Sequence, residues 1–219
     1  MHVVSRMKSD LSSAFLFCGI YLGVLFITSS LIPLNAWTAA LPGALSTTVC
    51  LILAALASRI MPAQMGSFRP LSAAFIGLFL FAAQSRMTEP LPGFLREPVD
   101  LPGAFFSMVL LGPLCEEAFF RGLLLDRFGG NARAVVLQAV FFAVSHFSLA
   151  GLPFAFTGGL LLGFIAISTR GILSAFVAHA TLNAIVISQR ILWPETIPLW
   201  IIALCFACGL FGIWRFRKA

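Results

Sequence analysis

The chain is 219 residues long, 60% hydrophobic and only 10% charged, with a mean hydropathy of +1.01 and a formal net charge of +6. This excludes an ordinary soluble domain, in which about 25% of residues are charged. The basic residues are dispersed at the ends of apolar runs, a pattern of membrane orientation and contact with anionic headgroups rather than of nucleic-acid binding.

A spanning helix needs roughly 20 apolar residues. Gly, Pro and charged residues divide the chain into eight candidate spans: 11–32, 39–58, 69–86, 104–125, 132–149, 152–169, 171–190 and 197–214. The expected fold is all-α, a polytopic membrane helix bundle with about eight transmembrane helices in a single integral-membrane domain over 1–219. The short basic N-terminus leading into an apolar run reads as a retained anchor rather than a cleaved signal peptide. The turns at Gly151-Leu152-Pro153 and Arg170-Gly171 are so short that the fifth, sixth and seventh helices must be antiparallel neighbours. No internal repeat is evident.

Eight spans place both termini on one side. Eleven of the fourteen basic residues then fall on that side, among them Arg6, Lys8, Arg59, Arg69, Arg121 and Arg215. Arg86, Arg96 and Arg190 fall opposite, with Glu89, Glu97, Asp100 and Glu195. The positive-inside rule makes both termini cytoplasmic, with the Arg86–Asp100 loop on the other face. Trp37, Trp193, Trp200 and Trp214 lie near the span ends, as an aromatic belt requires. The five cysteines all lie in apolar runs, and no disulfide is expected. The small-xxx-small pair Gly159/Gly163 reads as close helix packing.

Polar groups inside the apolar runs carry the chemistry. Carboxylates at membrane depth are costly and face a bundle interior or a water-filled cavity. In GPLCEEAFFRG, Glu117 and Arg121 stand four apart, acid before base, which favours pairing on a helix. Glu116 points about 100° away and has no local partner. Gly112-Pro113 just before it should kink the helix. His146 ends FFAVSH late in the fifth span. His179 and Asn183 share one face of the seventh, and such a pair suits stabilising an oxyanion. At 1.5 Å per residue, Glu116 and His179 reach about the same depth, and His146 comes out roughly 10 Å away from it unless its helix protrudes or tilts. Each of these groups could instead serve as interhelical glue.

The three motifs together are more specific. GPLCEEAFFRG resembles the EExxxR motif of the CAAX-protease and bacteriocin-processing (CPBP, or Abi) family of intramembrane proteases. FFAVSH resembles its FxxxH motif at Phe142 and His146, and HATLN its HxxxN motif at His179 and Asn183. The resemblance covers 103–190, and the first three helices carry none of it. It implies an endopeptidase active within the bilayer on a membrane-associated protein or peptide, in the style of a prokaryotic inner-membrane enzyme. In that role Glu116 would activate water with His146 helping to hold it. His179 and Asn183 would stabilise the oxyanion, and Glu117, Arg121 and Phe142 would support the site. Glu, His and His could ligate zinc with an open fourth position. The lack of HExxH and the presence of HxxxN favour a metal-free mechanism, so no cofactor is expected. The alternatives are a non-catalytic scaffold or immunity protein of the same fold, and a proton-coupled transporter. An inverted repeat would favour transport.

Overall fold

A computed structural model describes residues 2–56, 67–84, 100–149, 151–192 and 197–218. These residues form eight helices: α1 (His2–Leu31), α2 (Leu41–Leu56), α3 (Pro70–Gln84), α4 (101–127), α5 (Ala132–Val144), α6 (Leu152–Thr169), α7 (Leu173–Leu192) and α8 (Leu199–Lys218). No strand occurs among the described residues. Three stretches are long and apolar enough to cross a membrane unaided: Leu11–Leu31, Leu152–Thr169 and Leu199–Phe216. The apolar stretches Leu41–Leu56, Pro70–Ala83, Ala132–Val144 and Leu173–Gln189 are shorter, so among the described residues the helix number expected from the sequence is met while three helices have the length and apolar character to span unaided. The expected Arg86–Asp100 loop, apart from Asp100 itself, lies outside the described residues, as do Arg59, Trp193 and Glu195.

Helix α4 is the hub and packs against α1, α2, α5, α6 and α7. Asp100 caps its start: one carboxylate oxygen accepts from the Gly103 amide at 3.2 Å, and the other accepts from the Trp37 indole. Pro102 suits the first turn, where its missing N–H is not needed. Residues Phe105–Leu111 and Glu117–Leu124 form two π-helical stretches, separated by α-helical Gly112–Glu116. On the other side α8 lies along α3, and Gly209 faces Phe79 so closely that any side chain there would clash.

The turns follow from local chemistry. Gly129 and Gly130 have φ of 100° and 60°, left-handed values natural to glycine, and they let α4 reverse into α5. The Asn131 side chain then caps α5 by accepting from the Ala134 amide at 3.1 Å. Between α6 and α7 Arg170 adopts the left-handed conformation. The Gly171 amide returns to the Ala166 carbonyl at 3.1 Å, closing the helix end.

Large apolar side chains face outward, including Leu16, Phe26, Leu56 and Trp200, while Glu117, Arg121 and Gln138 are buried. This inside-polar, outside-apolar arrangement is that of a membrane protein.

Two expectations change. The fifth helix, expected over 132–149, ends at Val144 after 13 residues. The Ser145 hydroxyl donates to the Phe142 carbonyl at 2.8 Å, and His146 Nδ1 bonds the same oxygen at 2.7 Å. Side chains thus take over the last turn, and Phe147 follows with φ of 48°. Arg121, counted as an orientation signal, is 4% exposed in an ion pair, so it marks no membrane face.

Candidate active site

The two wide stretches of α4 build the site. A π turn bonds i to i+5, and its onset leaves carbonyls without their usual partner. In the first stretch the Gly112 amide bonds the Ser107 carbonyl, bypassing that of Met108. The next residue, Pro113, has no N–H to offer. Met108 O is therefore left by its own helix, and Asn183 of α7 supplies the donor from Nδ2 at 2.8 Å. The sequence anticipated a kink at Gly112-Pro113; what forms is this widened turn, and it ties α4 to α7.

The second stretch begins at Glu117. Arg121 Nη1 donates to Glu117 Oε1 at 2.8 Å, and His179 Nδ1 meets the same oxygen at 2.9 Å. An ionised carboxylate only accepts, so the hydrogen sits on His179 Nδ1, and Nε2 is left for other chemistry. That Nε2 lies 3.8 Å from Glu116 Oε2. Two adjacent glutamates thus flank one imidazole. A wide turn holds more residues, so neighbouring side chains diverge less than in a regular α-helix.

The two carboxylates differ in setting. The Glu117 side chain is wholly buried, whereas that of Glu116 retains 27% exposure. Glu116 Oε2 is itself buried and has no hydrogen-bond partner. Glu116 is therefore the freer acceptor and Glu117 the anchored one.

Phe142 forms the wall. The Arg121 guanidinium lies over its ring at 4.4 Å, and its centroid is 4.8 Å from His146 and 5.9 Å from His179. His146 approaches the cluster from the end of α5, through contact with Phe142. With its Nδ1 turned back to Phe142 O, its Nε2 is the nitrogen open to other partners.

The sequence reading passed over Gln138. It is fully buried, and its Nε2 donates to the Val135 carbonyl at 2.9 Å and the Gly159 carbonyl at 2.8 Å. Arg121 Nη2 also reaches Gly159 O, at 3.4 Å. A side chain at Gly163 would lie 2.6 Å from Gln138 Nε2 and one at Gly159 2.9 Å from Ala139, so the glycine pair both packs α6 on α5 and makes room for this amide. Gln138 Oε1, Arg121 Nε and Glu117 Oε2 are buried without partners, a polar seam that continues the site into the bundle.

Among the described residues no three His, Cys, Asp or Glu side chains converge to hold a metal ion. Glu116 faces His179 Nε2, and Glu117 meets the opposite nitrogen of the same imidazole.

An apolar groove of about 480 Å³ runs between the start of α4 and α7, lined by Leu101, Phe105, Phe106, Leu110, Ala184 and Ile187. Ala184, in its lining, is the chain neighbour of Asn183.

Residues 98–185 match the family model described as Rce1-like, type II CAAX prenyl endopeptidase. This segment is similar to the Rce1-like CAAX-protease family. It contains Glu116, Glu117, Arg121, Phe142, His146, His179 and Asn183, the residues that carry the three CPBP-like motifs. No curated protein and no solved structure matches the chain significantly.

Proposed function

We propose that the protein is an intramembrane endopeptidase that cleaves a membrane-associated protein or peptide with water activated by Glu116. The observation that carries this reading is the facing pair Glu116 Oε2 and His179 Nε2, 3.8 Å apart, with Glu117 and Arg121 fixed behind it. A water within hydrogen-bond reach of both atoms is placed to lose a proton to the carboxylate.

Its oxygen then bonds the scissile carbonyl carbon, and the negative charge moves to the carbonyl oxygen. His179 stabilises that oxyanion when it enters the step as an imidazolium, with a solvent proton taken up on Nε2: it donates from Nε2, keeps that proton throughout, and Glu117 balances its charge from the Nδ1 side. Asn183 has committed one amide hydrogen to Met108 O and keeps the other for the oxyanion. His146 Nε2 steadies the incoming water. Glu116 passes its proton to the leaving nitrogen, the oxyanion collapses, the C–N bond breaks, and a carboxylic acid and an amine depart with Glu116 ionised again. Every step uses this chain's own side chains, so no cofactor is assigned.

In this reading all eight helices cross the bilayer, both termini are cytoplasmic, and the apolar groove beside Asn183 receives an extended apolar part of the substrate. Glu116 is half-buried and has no Arg or Lys salt-bridge partner among the described residues, which argues for chemistry over a scaffold role, since a structural acid would be paired. The test compares new peptide termini in membranes of cells carrying the wild type or Glu116→Gln. Termini present with the wild type and missing with the variant are expected; identical sets would refute proteolysis by this site.

A further inference from the structure

Tyr21 is the chain's sole tyrosine, beside 23 phenylalanines. It lies on α1, outside the matched segment, and is 2% exposed. Its ring stacks on Phe119 at 4.1 Å and meets the edge of Phe120 at 5.2 Å. A phenylalanine would satisfy both contacts, so the hydroxyl is what distinguishes this position.

That hydroxyl reaches α2 on the face shared by Gly43 and Thr47, one turn apart. Gly43 borders the hydroxyl: a Cβ there would lie 3.7 Å from its oxygen, an ordinary contact. Thr47 in turn donates to the Cys115 carbonyl at 3.1 Å. Cys115 directly precedes Glu116, at the point where α4 changes from α to π geometry. A buried hydroxyl is costly unless bonded, so the Tyr21–Thr47 pair is held to one geometry, and its far end grips the backbone that carries Glu116.

We propose that Tyr21 and Thr47 are positioning residues that fix the Cys115–Glu116 peptide and so aim the Glu116 carboxylate at His179 Nε2. The effect on turnover rests on the proteolytic reading; the effect on geometry does not. Helices α1 and α2, which carry none of the family motifs, thereby take part in the site.

Two readouts test this in the full-length protein in proteoliposomes. The first is the magnetic resonance of isotope-labelled histidine nitrogens, with three histidines to resolve. Tyr21→Phe and Thr47→Val should each shift the Nε2 signal of His179 and leave Nδ1, held by Glu117, in place. The second is turnover of a reporter peptide spanning a cleavage site found in wild-type membranes. Each variant should lower kcat about tenfold, because small misplacement of a reacting group is expensive. KM should stay within about twofold. The double variant should be no worse than the poorer single one, since both act through the same Cys115 carbonyl, and Thr47→Ser should restore the wild-type values.

An unmoved Nε2 signal in both single variants overturns the proposal whether or not the protein cleaves anything. So do unchanged kcat in Tyr21→Phe and multiplicative losses in the double variant. A wild type that cleaves nothing overturns the proteolytic reading, and the resonance result still decides the positioning.

Discussion

Glu116 and Glu117 are chain neighbours, yet they meet opposite nitrogens of one imidazole: Glu117 Oε1 lies 2.9 Å from His179 Nδ1 and Glu116 Oε2 lies 3.8 Å from Nε2. The short contact fixes the ring and its tautomer. The longer one leaves room for a reactant. The division of labour between the two acids follows from this asymmetry.

Glu117 and Arg121 should matter for folding, and Glu116 should not. Removing one partner of a buried ion pair costs about 3–5 kcal/mol, because the other charge is left stranded. Glu117→Gln and Arg121→Gln should therefore cut folded yield in detergent and lower the unfolding temperature. Glu116→Gln should leave both near wild type, as its Oε2 has no hydrogen-bond partner to lose. Equal losses in all three variants would erase the distinction.

Gly163 should be intolerant of alanine because of Gln138. The added Cβ would lie 2.6 Å from Gln138 Nε2 and 3.0 Å from a Val135 methyl. Overpacking of this kind costs about 1–3 kcal/mol. Thermal unfolding should show that loss in Gly163→Ala and partial recovery in Gly163→Ala with Gln138→Ala. Gly158→Ala, which meets nothing within 4 Å, is the control and should show no loss.

Pro113 should matter through a carbonyl rather than through its own side chain. Pro113→Ala restores an N–H that the Met108 carbonyl can accept, in competition with Asn183 Nδ2. The variant should fold at least as well as wild type, since interior proline is costly in a helix. Its turnover should fall, because Asn183 loses its anchor. Unchanged turnover in a folded Pro113→Ala protein would mean that the Asn183–Met108 bond does not set the site.

Much of this was legible in the sequence, for reasons that are local. The Glu117–Arg121 pair follows from i, i+4 spacing, and the helix number follows from punctuation by Gly, Pro and charge. The helix ends at Gly129-Gly130 and Arg170-Gly171 follow from turn chemistry. The convergence of Glu116 and Glu117 on His179 was not legible, because 100° per residue assumes a regular α-helix and α4 is not regular there. The early end of α5 was hidden for a related reason: Ser145 and His146 bond their own backbone, a competition that hydropathy does not register. Gln138 and Tyr21 did carry a signal. A glutamine inside an apolar run and a single tyrosine among phenylalanines are both chemical exceptions, and each proves to be buried, Gln138 in hydrogen bonds and Tyr21 stacked on Phe119.

The central claim is that Glu116 activates the water that cleaves a peptide bond. The most direct measurement is turnover of a reporter peptide, spanning a cleavage site found in wild-type membranes, by purified protein in proteoliposomes. Wild type is compared with Glu116→Gln, each with and without exhaustive chelation. The account predicts cleavage by the wild type that chelation leaves unchanged, and none by Glu116→Gln, whose amide cannot take the proton. Cleavage that persists in Glu116→Gln, or activity lost to the chelator and restored by zinc, would contradict it.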